Sequence, residues 1–230
     1  MSCRRPCIAI DGPVAAGKST IARMVAAKLG FTYVDSGAMY RALAWAAIKG
    51  KIDTSGAAAV MALLSRLRIE LAPQPEGANL VYVDGEDVTG EIRTQQIGDL
   101  ASKLSEMPEV RTRMVALQQE MARDGGVVME GRDIQTVVLP DAEVKVFLTA
   151  PAEERAERRC LELKQRGYAA NYDEVLAEIK GRDTRDTTRE HSPLRAAPDA
   201  VHIDTGGLTI DQVVERVLGA VRGRAGAMEQ

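Results

Sequence analysis

Nine residues near the start of the chain, Gly12-Pro13-Val14-Ala15-Ala16-Gly17-Lys18-Ser19-Thr20, restrict the fold more than any other stretch. They match Gly-x-x-x-x-Gly-Lys-Ser, the pattern of a loop whose backbone N–H groups converge on phosphate oxygens. Gly12 and Gly17 supply the backbone angles that turn several amides into one concavity. The helix that follows adds the positive end of its dipole. Lys18 meets the β- and γ-phosphates of a triphosphate as a point charge, and Ser19 offers a hydroxyl to Mg²⁺. A Gly-rich turn capping an ordinary helix would explain the loop alone, but not its flanks. Pro6 to Asp11 is an apolar run of buried-strand type. Lys18 to Leu29 carries Ile21, Val25 and Leu29 on one helical face, and Gly30 ends it.

Composition narrows the partners. The chain has 230 residues, enough for one sizeable core with an inserted subdomain or for two small domains. A net charge of −3 excludes a general attraction to nucleic acid or to an anionic membrane. Any anion site must therefore come from local clustering of Arg and Lys. No apolar run approaches the ~18 residues of a membrane span. Met1 to Arg5 precedes a strand that belongs to the fold, so it does not read as a signal peptide. Cys3, Cys7 and Cys160 lack zinc spacing and read as reduced thiols of a cytoplasmic protein.

Beyond Gly30, Phe31 to Val34 reads as a second strand. Asp35 and Ser36 offer N-caps for a helix from about Gly37 to Ile48, with Arg41 in its early turns. Arg41 alone reads as a solvated charge. From about Ser55 the pattern changes. Ala57 to Leu67 is helical, Arg68 to Leu71 and Leu80 to Val83 are short alternating strands, Pro73 to Gly77 is a loop and Asp84-Gly85 a turn. Local hairpins suit a small antiparallel insert better than a parallel core. Two helices follow, the first with Ile97, Leu100, Ala101 and Leu104, the second with Val110, Met114, Leu117 and Met121. Val127 to Glu130 and Val144 to Leu148 are buried strands. Gly131-Arg132-Asp133 stands at the carboxyl end of the first, where open α/β sheets bind ligands; a surface ion pair is the alternative.

The helix opened by Pro151 brings Arg155, Arg158 and Arg159 to one face. The next, from about Tyr172, gathers Arg182, Arg185, Asp186 and Arg189 within roughly a third of its circumference. Such stripes are either solvated faces or the inner face of a lid that closes over phosphates. Ala200 to Asp204 is a last buried strand, and a helix with Ile210, Val213, Val214, Val217 and Val221 closes the fold. His191 and His202 have no metal-ligand spacing.

Taken in order, the phosphate loop, Asp35-Ser36-Gly37-Ala38-Met39-Tyr40-Arg41, Gly85 to Thr94, Gly131-Arg132-Asp133-Ile134, Arg182-Asp183-Thr184-Arg185-Asp186 and Ser192-Pro193-Leu194 span nearly the whole chain. The series resembles the bacterial cytidylate kinases. The Gly85 to Thr94 block is its most specific part, since other nucleoside monophosphate kinases lack that insert. The resemblance implies a three-layer α/β P-loop nucleoside-monophosphate-kinase fold around a central five-stranded parallel sheet. The core would comprise about 1–54, 105–150 and 190–222, the NMP-binding insert about 55–104 and the helical lid about 151–189. The implied reaction is transfer of the γ-phosphoryl group of ATP to CMP or dCMP, with Mg²⁺, in pyrimidine nucleotide metabolism. A cytoplasmic monomer is expected, with no nucleic acid or membrane partner.

The resemblance also distributes roles. Gly12, Pro13, Val14, Ala15, Ala16, Gly17, Lys18, Ser19 and Thr20 would hold ATP, with Ser19 on the metal. Lys18, Arg132, Arg158 and Arg159 would act on the transferred group. Arg41 and Arg132 would hold the acceptor phosphate, Ser102, Arg182 and Asp186 the pentose, and Ser36, Arg111, Asp133 and Arg189 the cytosine. Gln135 departs from the family, which usually has Gly there, and leaves the shape of the Arg132-Asp133 loop open.

Two rivals remain at this point. A P-loop kinase of another small acceptor, such as shikimate or a different nucleotide, would leave the insert and the arginine stripe unexplained. A GTP-binding switch would commonly carry Asn-Lys-x-Asp to read guanine. The chain's asparagines, Asn79 and Asn171, precede Leu and Tyr.

Overall fold

The computed structural model describes residues 5–74, 79–165 and 167–228. Strand β1 (Cys7–Asp11) passes through the phosphate loop into α1 (Lys18–Leu29), followed by β2 (Thr32–Asp35) and α2 (Ser36–Lys49). Then come α3 (Ala57–Leu64), β3 (Ile69–Ala72), β4 (Leu80–Val83), β5 (Glu86–Asp87), α4 (Gln95–Leu104) and α5 (Pro108–Ala122). Strands β6 (Val127–Gly131) and β7 (Val144–Thr149) are separated by a π-type turn at Ile134–Val138. Helices α6 (Ala152–Gln165) and α7 (Tyr172–Thr188), strand β8 (Val201–Asp204) and helix α8 (Ile210–Met228) complete the order.

The main sheet has five strands in the order β2-β6-β1-β7-β8, and every pairing is parallel. Its central strand explains the layers. In β1, Cys7 and Ala9 face one way and Ile8 and Ile10 the other, and all are buried. A strand apolar on both faces needs cover on both. Residues of α2 and α5 cover the first face, and those of α1 and α8 the second, giving three layers.

The expected hairpin strands pair antiparallel as β3-β4-β5. Val81, Val83 and Leu104 from this region join the same apolar cluster as Met39 and Leu43 of α2, so it has no separate core. Residues 75–77 of the expected Pro73 to Gly77 loop lie outside the described residues. Helix α3 stops at Leu64, short of the expected Leu67, because Arg68 is already committed to the hairpin. The Arg68 N–H donates to the Asp84 carboxylate at 2.9 Å, and the Asp84 N–H donates back to the Arg68 carbonyl at 2.9 Å.

Helices α6 and α7 enclose a small core of Ala156, Cys160, Val175 and Ile179, against which Val14 and Ala15 of the phosphate loop rest. Among the described residues no helix is long and apolar enough to cross a membrane.

Candidate active site

A cleft of about 790 Å³ opens at the carboxyl ends of β1, β2 and β6. Its floor is the phosphate loop. Gly12 has φ +153°, and a Cβ there would stand 2.1 Å from the Leu148 carbonyl oxygen, so only glycine fits between loop and β7. Gly17, at φ +86°, is the N-cap of α1 and supplies no side chain to the first-turn amides. Val14 to Thr20 line the cleft, while Gly12 and Pro13 stand behind that wall. Lys18 folds over the loop, its Nζ donating to the Pro13 carbonyl at 2.7 Å. Burial, and next the Arg132 guanidinium, pull its ammonium down to about 7.

Two carboxylates beneath the loop went unassigned in the sequence reading. Asp11 is fully buried and accepts from the amides of Ile134 at 3.1 Å and Gln135 at 2.8 Å; burial pushes it up to about 7. It thereby ties the root of the phosphate loop to the segment that carries Arg132 and Asp133. Its position directly before the glycine of a phosphate loop, at a strand end, was the signal available. Glu130 accepts from the Tyr33 hydroxyl at 3.0 Å and lies beside the Ser19 hydroxyl. Burial, then the Asp35 carboxylate, hold its carboxyl above the usual range.

The opposite wall contains the expected acceptor residues. Asp35 caps α2, accepting from the Ala38 amide at 2.9 Å. Ser36 is thus the first helical residue rather than a cap, and its Oγ donates to the Glu130 carbonyl at 2.7 Å. That approach needs Gly131, where a Cβ would lie 2.5 Å from the Ser36 Oγ. A hydroxyl has one proton, so Ser36 has only acceptor lone pairs left for a ligand. Arg111 of α5 bonds the Asp133 carboxylate through Nη1 at 2.5 Å, with both side chains buried, and its Nε donates to the Ser105 carbonyl at 2.9 Å.

Arg132 Nε donates to the Asp186 carboxylate at 2.8 Å. Burial raises the Asp186 carboxyl, but the guanidiniums of Arg132, Arg182 and Arg189 outweigh it and hold the group below its ordinary value. Arg41, Ser102, Arg158, Arg159, Arg182 and Arg189 line the same cleft. Arg158 donates to the hydroxyl and carbonyl of Thr205, at 2.9 and 2.8 Å, and Arg159 to Glu162 at 2.8 Å.

These cations oppose one another. Burial, then Arg132, bring Arg182 down to about 10, and burial lowers Arg41, against which Arg93, Arg132 and Arg159 also act. The Nε of Arg182 and one Nη of Arg189 are buried without a hydrogen-bond partner. Cations that crowd together with buried N–H groups left unsatisfied define a receptor for anions.

Three expectations change. Arg155 does not share the cleft wall with Arg158 and Arg159: it is buried, bonded to Ala150, Val14 and Asp183. Arg185 is exposed and stands outside the lining. Arg189 lies just past the end of α7, its Nε donating to the Ser192 carbonyl at 2.6 Å. The open question at Gln135 has a definite answer. Its buried amide donates to the Val146 carbonyl at 3.2 Å and accepts from the Ala197 amide at 2.8 Å.

Comparison with known proteins places this geometry in context. The family model described as cytidylate kinase matches residues 8–223. A cytidylate kinase of Bacillus licheniformis is 49% identical over 222 residues, covering 96% of this chain and 98% of that protein. One of Geobacillus thermodenitrificans is 50% identical over 223 residues, covering 97% and 99%. Among solved structures, an uncharacterized protein from Eubacterium ventriosum aligns with a TM-score of 0.51 at 12% identity, covering 94% of this chain and 97% of that one, a likeness of fold alone.

Proposed function

The chain belongs to the cytidylate kinase family, and we propose that its cleft transfers the γ-phosphoryl group of ATP to CMP or dCMP, giving ADP and CDP or dCDP. The observation that carries the choice of base is that Ser36 and Asp133, both in the cleft wall, each present an acceptor. Cytosine differs from uracil by a 4-amino donor in place of a carbonyl, and by an N3 acceptor in place of N–H. Ser36, its proton committed to Glu130, and the Asp133 carboxylate both present acceptors. Arg111 presents the donor beside them.

The donor nucleotide takes the Gly12 to Thr20 loop. The acceptor phosphate lies against Arg41 and Arg132, its pentose against Ser102, Arg182 and Asp186, and its base against Ser36, Arg111, Asp133 and Arg189. The transferred phosphoryl group spreads negative charge over its oxygens and asks for little covalent chemistry. Lys18, Arg132, Arg158 and Arg159 meet that charge from positions fixed in advance, so catalysis is positioning and electrostatic stabilisation. The attacking phosphate oxygen is already anionic and needs no strong general base.

The Ser19 hydroxyl, with the Glu130 and Asp35 carboxylates near it, is a set of hard oxygen donors. It suits Mg²⁺, which keeps water and phosphate oxygens as most of its ligands. When bound, the ion neutralises charge on the donor phosphates.

Residues from about 151 to 189 act as the lid over this site, and those from about 55 to 104 as the acceptor-binding insert. The Gln95 amide of α4 reaches Glu178 of α7 at 3.0 Å and joins the two across the cleft. A cytoplasmic monomer completes the proposal. The test is ADP formation from ATP and Mg²⁺ with CMP, dCMP, UMP, AMP or shikimate. CMP and dCMP should lead the panel; a faster reaction with AMP or shikimate would overturn the assignment.

A further inference from the structure

A phosphate loop gathers its amides inward only if the carbonyls of the same peptides point outward, and each outward carbonyl then needs its own partner. For Val14 that partner is a buried guanidinium from a distant helix. Arg155 is only 5% exposed, and its Nη1 donates to the Val14 carbonyl at 3.0 Å. Its Nε donates to the Ala150 carbonyl at 2.9 Å, which anchors it to the end of β7. The Asp183 carboxylate of α7 grips the same guanidinium at two points, Oδ1 to Nη1 at 3.1 Å and Oδ2 to Nη2 at 2.6 Å. The residue after Val14, Ala15, has φ +59°, a left-handed conformation that a residue with a Cβ adopts only when its surroundings impose it.

We infer that Arg155, held in place by Asp183, is a positioning residue for the donor nucleotide: it fixes the Val14–Ala15 peptide with its carbonyl out and its amide towards the phosphates. Neither residue touches the reacting atoms in this arrangement. The planar fork is what the task requires, since one group must reach Val14, Ala150 and a carboxylate at once. An ammonium at position 155 could satisfy the charge of Asp183 but not all three directions. The link also joins the two substrate sides of the cleft. Asp183 lies on the helix that carries Arg182 and Asp186, while Val14 lies on the loop beneath the donor phosphates. The inference rests on reading that loop as the ATP site.

The experiment compares wild type with Arg155→Lys and Asp183→Asn. Asp183→Asn keeps the shape and one hydrogen bond of the original, so it serves if the lysine variant fails to fold. Binding of a non-hydrolysable ATP analogue without acceptor is measured by calorimetry, together with KM for ATP and for CMP and the thermal midpoint. Each variant should bind the analogue about tenfold more weakly and raise KM for ATP by a similar factor, with KM for CMP within about twofold of wild type. The double variant should lose no more than the worse single variant, because the two residues act as one unit. Unchanged analogue binding in folded Asp183→Asn would overturn the inference. So would equal rises in both KM values, which mark a general loosening of the fold. The analogue titration does not depend on the acceptor, so a wild-type protein that fails to phosphorylate CMP would count against the proposed reaction and leave this result to stand or fall separately.

Discussion

Asp133→Asn tests how the base is chosen. The substitution keeps the side-chain shape and removes the charge. Asp133 is buried and bonded to Arg111 Nη1 at 2.5 Å, so the asparagine carbonyl oxygen will take that donor and its NH₂ will turn to the other side. A 4-amino group that met an acceptor now meets a second donor. Losing a hydrogen bond to a charged group costs about 1.5–3 kcal/mol. At about 1.4 kcal/mol per decade, kcat/KM for CMP should fall roughly 10- to 140-fold. UMP brings a carbonyl oxygen, an acceptor for the new NH₂, to the same place, so its kcat/KM should hold or rise, and the CMP to UMP ratio should shrink at least ~10-fold. Removing one partner of a buried pair outright costs about 3–5 kcal/mol; the asparagine retains a hydrogen bond to Arg111 and should cost less. ADP release followed by coupled absorbance, well below the thermal midpoint of each protein, separates stability from specificity. If CMP and UMP lose activity in equal proportion, Asp133 serves the phosphate site through Arg132 and does not read the base.

Four further outcomes are expected. Lys18→Met should fold normally and lower turnover at least ~10²-fold, since a fixed charge on the transferred group is lost; near-normal turnover would refute the role of the loop. In wild type the Lys18 ammonium is held down to about 7, and triphosphate oxygens will raise it, so ATP binding near pH 8 should take up protons. Calorimetry in buffers of different ionisation enthalpy reads that uptake, which Lys18→Met should abolish. Gln135→Ala strands a buried carbonyl at Val146 and a buried amide at Ala197, at about 1–3 kcal/mol each, and should lower the thermal midpoint by at least about 4 °C. An unchanged midpoint would show that these groups find other partners. Backbone hydrogen exchange over residues 151–188 should slow when a bisubstrate analogue binds, and equal protection with and without it would argue against a closing lid.

The strands and the loop between β1 and α1 were legible because their signals are local. An apolar run, two glycines and a helical period suffice, and none depends on what lies elsewhere in the chain. The positions of Arg132 and Asp133 at the end of β6 were legible for a related reason: a strand end has a known place in a parallel sheet. Helical periodicity carried the arginine stripes part of the way. At 100° per residue Arg155, Arg158 and Arg159 do share a face. Rise along the axis is the coordinate that periodicity omits. At ~1.5 Å per residue Arg155 lies about one turn nearer the sheet than the other two, and there the face meets the phosphate loop instead of the cleft. Angle accounts for Arg185. It stands 60° from Arg182 on the side away from Asp186, hence 100° from Asp186 itself, and that places it in solvent.

What stayed hidden was the polarity of groups whose type allows either role. Ser36 can donate or accept until its partner is known, and that partner is the carbonyl of a residue 94 positions away. From the sequence Gln135 was a departure that left the loop's shape open, and it is a strut between β7 and the segment before β8. In both cases the residue type names the atoms present, and the fold decides which lone pair or proton remains for a ligand. In the proposed function, the choice between cytosine and uracil rests in part on one such remainder. A hydroxyl that has given its proton to the Glu130 carbonyl repels a uracil carbonyl and accepts a cytosine amine, although serine itself favours neither.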